Sequence, residues 1–165
     1  MPAAVSNASP LIHLARIGRL GLLRPLFSPV SIPGAVYREV VAEGRGRPGA
    51  DEVARAVTDG WLVVVPVTAS SGLEQLRASL DEGEAEAIQL ALQLRPARVL
   101  LDEAPARQKA ERLGLGVTGT LGVLLRAKQT GLLPSVAAEL HRLQTEGGFH
   151  VASHLVAQIL AAAGE

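Results

Sequence analysis

The sequence predicts an α/β fold, a three-layer α/β/α domain with a short central parallel sheet, and three observations carry that prediction. Short apolar strands alternate with helical segments along the chain, the pattern of a parallel sheet flanked by helices. Apolar residues make up 48% of the chain but aromatics only 2%, so its core must be built from Leu, Val, Ile and Ala. Polar residues able to do chemistry fall just after strands or in the first turns of helices, where parallel sheets gather their ligands. At 165 residues the chain predicts one domain, residues 1–165, long enough to bury a sizeable core.

Ala3–Val5 reads as a short buried strand ending near Asn7. Ser9 followed by Pro10 predicts an N-cap with proline opening the helix. Gly18 and Gly21 then divide the segment through Phe27 into two short helices. Val30–Ile32 reads as a second strand, and Pro33 opens a helix over PGAVYREVVAEG that Gly44 stops. After a loop at Arg45–Gly49, a helix is predicted from Asp51 to Asp59, closed by Gly60. The β-branched run Trp61–Val67 predicts a buried strand, followed by helices near Ser71–Leu80 and Gly83–Leu94. Val99–Leu101 is a strand, Ala104–Leu113 a helix and Gly116–Thr118 a last strand. Three helices fill the C-terminal third: Leu121–Thr130, Ser135–Thr145 and Ser153–Ala163.

Bulk properties exclude several classes of function. Basic and acidic residues balance at 16 each, so net charge gives no long-range pull toward nucleic acid, and any RNA contact needs a local patch. The absence of cysteine removes disulfides, thiolate metal sites and cysteine nucleophiles. No apolar run approaches a membrane span and no secretory leader opens the chain, so a cytoplasmic protein is expected.

Other motifs lack their structural context. Gly44–Gly49 and Gly114–Gly119 both match G-x-G-x-x-G, but a dinucleotide fingerprint must follow a strand and open a helix. The first follows a helix and contains Pro48; the second straddles a helix end and a strand. Both read as punctuation, which leaves a nucleotide-binding α/β domain without its phosphate-cradling loop. His150 and His154 have metal-ligand spacing but no third ligand nearby. His13 and His141 read as ordinary helix residues, and no nucleophile elbow is present.

The acidic positions carry more. Asp102, with Glu103 beside it, follows the apolar strand RVLL and precedes a helix. Glu84 lies in a helix first turn, where the dipole favours a carboxylate. Glu86 lies two residues on and should point roughly the opposite way, so one of the two reaches a common site. Glu39 lies between Tyr37 and Val40, on or near the buried face of its helix. Asn7 ends the first strand, where a carboxylate would complete the set. Carboxylates gathered at one sheet edge are costly unless a hard divalent cation sits among them.

The segments VSNASPLIHLARIGRLGLL, LDEGEAEAIQLAL, VLLDEAPARQKAERLGLGVTGTLGVLLRAKQTGLL and LQTEGGFHVA resemble the PIN-domain family, metal-dependent ribonucleases that include toxins of prokaryotic toxin–antitoxin pairs. The resemblance covers nearly the whole chain. It implies an endoribonuclease that uses Mg²⁺ or Mn²⁺, with Asn7, Glu39, Glu84 and Asp102 as catalytic and metal positions and Glu86 and Glu103 as further candidate ligands. Ser9, Thr118 and Thr120 match polar residues near such a site. The chain departs from the family at Asn7, where an amide replaces the first carboxylate and removes one negative charge. The alternative the departure raises is a catalytically silent module that binds RNA or an antitoxin. Arg45 and Arg47 are candidate phosphate contacts. Leu- and Ala-rich helices near the C-terminus, together with the resemblance, imply a homodimer.

Overall fold

The computed structural model describes residues 3–165. Its centre is a five-stranded, all-parallel sheet ordered β3-β2-β1-β4-β5. The strands are β1 (Ala4–Ser6), β2 (Val30–Ile32), β3 (Leu62–Val64), β4 (Arg98–Leu100) and β5 (Val117–Thr118). The helices are α1 (Ala8–Arg16), α2 (Leu23–Leu26), α3 (Gly34–Tyr37), α4 (Ala50–Asp59), α5 (Ser71–Arg77), α6 (Glu82–Leu94), α7 (Ala104–Arg112), α8 (Thr120–Gln129), α9 (Val136–Glu146) and α10 (Ser153–Ala162). No helix among the described residues is long and apolar enough to cross a membrane.

Side chains of a strand alternate between faces, and the two cores follow that period of two. Ala4, Val30, Ile32, Leu62 and Leu100 join Leu11, Leu14, Phe27, Val53, Leu124 and Leu143 on one side. Val5, Val99 and Leu101 join Leu73, Ile88, Leu90 and Ala106 on the other. The helices α5, α6 and α7 therefore cover one face, and α1, α2, α4, α8 and α9 the other, which gives the predicted three layers.

Three local expectations change. The first helix starts at Ala8 with Asn7 as its N-cap, not at Ser9; Pro10 still falls in the first turn, where a missing N–H costs nothing. The single helix expected over residues 33–44 is short α3 followed by a π-helical turn at Arg38–Ala42. Gly44 closes that turn because a side chain there would strike the Val40 carbonyl, 2.2 Å from the Cβ position. The strand expected at Trp61–Val67 shrinks to β3, and Val63 and Val64 are 39% and 38% exposed. A β-branched run signals a strand, but β3 is the sheet's edge and has a neighbour on one side only.

Two polar fastenings close the C-terminal helices onto the body. Glu139, 4% exposed on α9, accepts from Arg19 Nε at 3.0 Å and Nη2 at 2.6 Å. At the start of α9, Glu165 accepts from the N–H groups of Val136 (2.6 Å) and Ala137 (3.1 Å) and from Ser135 Oγ (2.9 Å), with Lys128 Nζ 3.3 Å away. These donors, the Val136 N–H foremost, hold its carboxyl at about 2 against an ordinary 4.5. A depressed acid contributes stability above its unfolded value and loses it as pH falls through the folded one. Glu165→Gln should therefore lower Tm at pH 7. The gap from the parent should narrow as pH falls from about 4.5 toward about 2, read by circular dichroism melts across that range.

Candidate functional site

The sheet order creates a switch point. From β1 the chain builds outward through β2 and β3, then returns to place β4 on the other side of β1. Ligands of open α/β sheets sit beyond the carboxyl ends of the strands at such a point. Asn7 directly follows β1, and its N–H donates to the Leu100 carbonyl of β4 at 3.1 Å, which fixes it at the crevice. It occupies the N-cap of α1 yet does not cap with its side chain. Asn7 is 4% exposed, and its side chain makes no hydrogen bond among the described residues.

Glu39 arrives from the π turn. Such turns are frequent at functional sites because the extra residue per turn re-aims the side chains around it. Contrary to the expectation of a buried face, Glu39 as a residue is exposed. Its carboxylate end nevertheless points inward: Oε1 is 3.4 Å from where a Cβ on Gly83 would lie. Burial of that end raises the carboxyl above the ordinary range, and the carboxylates of Asp81 and Glu43 push it further.

The third contributor is the N-terminus of α6. Asp81 caps it: Oδ1 accepts from the Glu84 N–H at 2.7 Å, and the Asp81 N–H donates to Glu84 Oε1 at 3.2 Å. This reciprocal capping box consumes one Glu84 oxygen. Burial raises the Glu84 carboxyl; the Asp81 N–H opposes the rise, and the Asp81 and Glu103 carboxylates add to it. Glu86 turns the other way, as its spacing predicts. Its Oε1 accepts from the Ala35 N–H at 3.1 Å at the start of α3, and Arg77 lies 3.8 Å from Oε2. Between these groups Gly83 leaves a cradle. A Cβ there would meet Asn7 Oδ1 at 3.1 Å, Glu39 Oε1 at 3.4 Å and Asp81 Oδ1 at 3.6 Å.

Asp102 is occupied differently. Oδ1 accepts from the Thr120 N–H at 2.7 Å, and Oδ2 from Thr120 Oγ1 at 2.7 Å and His13 Nδ1 at 2.9 Å. It thereby caps α8, and Gly119 permits the approach, since a Cβ there would stand 3.0 Å from Oδ1. Burial alone would raise this carboxyl, but His13 and Thr120 outweigh burial and hold it below the ordinary range. Asp102 lines a cavity of about 720 Å³ between β5, α8 and α10 with Arg98, Arg107 and Arg126; neither Asn7 nor Glu39 lines it. Glu103 is exposed at the N-cap of α7. The structure thus brings Asn7 and Glu39 together, sets Glu84 beside them as a capping partner, and ties Asp102 to His13 and Thr120.

The donors around the cradle are an amide and two carboxylates, all hard oxygens. That set suits Mg²⁺ or Mn²⁺, which take one or two carboxylates and complete their shell with water or phosphate, and it does not suit zinc. No group of three or more Asp, Glu, His or Cys side chains among the described residues is placed to hold a metal ion; the cradle offers the Asn7 amide with the carboxylates of Glu39 and Asp81. His150 lines the large cavity and His154 lies on exposed α10, so their spacing assembles no ligand set. Cations border the site: Arg16 and Arg47 share a cleft of about 410 Å³ with Glu39. Two residues at the site escape the sequence reading. Asp81 had a legible signal in its D-x-x-E capping box. His13 had none, since its partner lies 89 residues away.

Comparison with known proteins adds the family. No curated protein matches the chain in sequence. A solved PilT N-terminus domain protein from the hyperthermophilic archaeon Sulfolobus solfataricus P2 superposes with a TM-score of 0.49 at 17% identity, over 92% of this chain and 98% of that one. The family profile described as PIN domain matches residues 3–165. With that match spanning the parallel sheet, its switch point and the residues around it, the chain belongs to the PIN-domain family, whose fold is of nuclease type.

Proposed function

We propose that the protein is a metal-dependent endoribonuclease of PIN type, acting as the toxin of a toxin–antitoxin pair. One observation carries the reading: Asn7 Oδ1 and Glu39 Oε1 face one cradle beyond the switch point, beside carboxylates whose charges repel one another. When bound there, Mg²⁺ or Mn²⁺ supplies Lewis acidity for in-line attack of water on an RNA phosphodiester. Asn7 and Glu39 hold the ion, Glu84 steadies the α6 N-terminus that closes the cradle, and Asp102 holds α8 against the same sheet edge. Arg16 and Arg47, joined by Arg45 on the loop between the π turn and α4, offer cations to the RNA backbone near Glu39.

A second reading has its own support. Both oxygens of Asp102 are already engaged and Asn7 lacks a charge, which favours a module that binds RNA or a small antitoxin without cutting. Cleavage of structured RNA in Mg²⁺ separates the two. The nuclease reading expects cleavage that Glu39→Gln and EDTA both abolish; intact RNA with the parent protein leaves the binding module.

The raised carboxyls give this reading a pH signature. Acids raised in the folded state destabilise the ion-free protein above those values, and stability returns as pH falls through them. Saturating Mn²⁺ should add about 2–3 kcal/mol at a hundredfold excess over Kd near pH 7.5, with the gain shrinking toward pH 5. Glu39→Gln should raise the Tm of the ion-free protein at neutral pH and erase the Mn²⁺ gain. Differential scanning calorimetry across pH, with and without Mn²⁺, measures both.

Assembly follows from α10. The helix SHLVAQILAA has no fully buried residue, and Leu155 is 37% exposed. We infer a homodimer that covers this face with a second copy. Light scattering at high micromolar concentration should give twice the monomer mass, and Leu155→Glu should return it to monomer.

A further inference from the structure

We propose that the cavity of about 720 Å³ between β5, α8 and α10 binds a small organic acid, a carboxylate or phosphate monoester carried on an apolar body. The site is separate from the cradle, since neither Asn7 nor Glu39 lines it, and it does not depend on a metal ion. Its volume falls within the ~300–1,000 Å³ of pockets that take small ligands.

Three guanidiniums define the charged end of the ligand. Arg98, Arg107 and Arg126 all line the cavity, and none of them forms an ion pair among the described residues. Glycines flanking β5 leave two of them room. Arg98 Nη1 lies 3.3 Å from the Cβ position of Gly116, and Arg107 Nη1 lies 3.6 Å from that of Gly119. Arg126 stands over the Phe27 ring, 5.1 Å from its centroid, which steadies the third guanidinium on α8. Asp102 also lines the cavity, but Thr120 and His13 already take both of its oxygens. The chain balances its charges overall, so three unpaired cations around one cavity are a local excess that an anion neutralises.

The other end of the ligand is set by an apolar wall. Leu121 and Leu125 of α8, Ile159 of α10 and Phe149 ahead of it line the same cavity, and all four are half-buried. The Phe149 ring is held nearly perpendicular to His13, with centroids 4.8 Å apart. An apolar body covers such a wall favourably, whereas a bare phosphate gains nothing from it. RNA suits this arrangement less well, because a polyanion is followed by cations spread along a path, and these three share one cavity. Leu155 lines the cavity as well as the face assigned to a second copy, so the test uses the protein in whatever assembly it adopts.

The test is titration calorimetry on the full chain in EDTA with octanoate and octyl phosphate. Octanol serves as the uncharged body and inorganic phosphate as the bare anion. At least one acid should bind about tenfold or more tightly than octanol or inorganic phosphate, and the tighter of the two identifies the anionic group. Arg98→Gln and Arg107→Gln should each weaken that acid about three- to tenfold. Arg24→Gln, at an exposed arginine of α2 outside the cavity lining, should leave affinity unchanged. Ala152→Trp keeps every cation and adds an indole to the lining; it should abolish binding. Circular dichroism checks the fold of each variant, and the ligand series on the parent decides the matter where one fails to fold. Octanol binding as tightly as the acids overturns the proposal, as does a parent that binds neither acid. Affinity unchanged in Ala152→Trp, or in both arginine variants, overturns it too. A short single-stranded RNA that binds in EDTA and is lost in Ala152→Trp, where the parent takes neither acid, overturns it in favour of nucleic acid. Because EDTA removes any ion from the cradle, each of these outcomes leaves the nuclease reading as it stands.

Discussion

The double pairing of β1 is the constraint on which this site depends. Hydrogen-bonded to β2 on one side and β4 on the other, β1 cannot shift without breaking both ladders. The end of β1, the central strand, is therefore held from both sides, and Asn7 is positioned by that constraint. The π turn brings Glu39 across β2, and the capped end of α6 brings Asp81 and Gly83 from the opposite face. Each needs β1 in place to have anything to converge upon.

Around that edge the protein treats its acids in two ways. Asp102 is partly buried and amply supplied with donors, so its charge is stabilised and serves to fasten α8 and α1 together. Glu39, Asp81 and Glu84 are packed against one another with few donors, and their repulsion is left in place. A fold under selection for stability alone would spread such charges apart, since like carboxylates at close range disfavour ionisation. The contrast is between one carboxylate satisfied by donors and three that repel one another.

The layer order and the strands were legible because the chain alternates β-branched runs with helices whose ends are written in Ser135 and Gly60. The Gly44 stop was equally plain. The faults came where tertiary context decides. Trp61–Val67 looks the same whether its strand lies inside a sheet or at the rim. Nothing local announces that Arg38–Ala42 winds as a π turn, so the direction of Glu39 could not be read from helical spacing. At the site, Asn7 and Glu39 were named from sequence and do face one point, and Glu86 points away as its spacing requires. Asp102 drew attention for its position after a strand, but its engagement with His13 rests on contacts between distant segments that no single-sequence pattern records.

The π turn at Arg38–Ala42 also bears on how this chain tolerates changes of length. Such a turn holds one residue more than an α-helix needs, and its main-chain bond runs from the Glu43 N–H to the Arg38 carbonyl at 2.7 Å. Removing one residue within it would let the segment relax to a regular helix and rotate whatever precedes or follows by about 100°. Glu39 would then swing away from the crevice although no acidic residue had been lost. In this stretch the count of residues matters as much as their identity, and sequences one residue shorter here belong to a different geometry even where every carboxylate aligns.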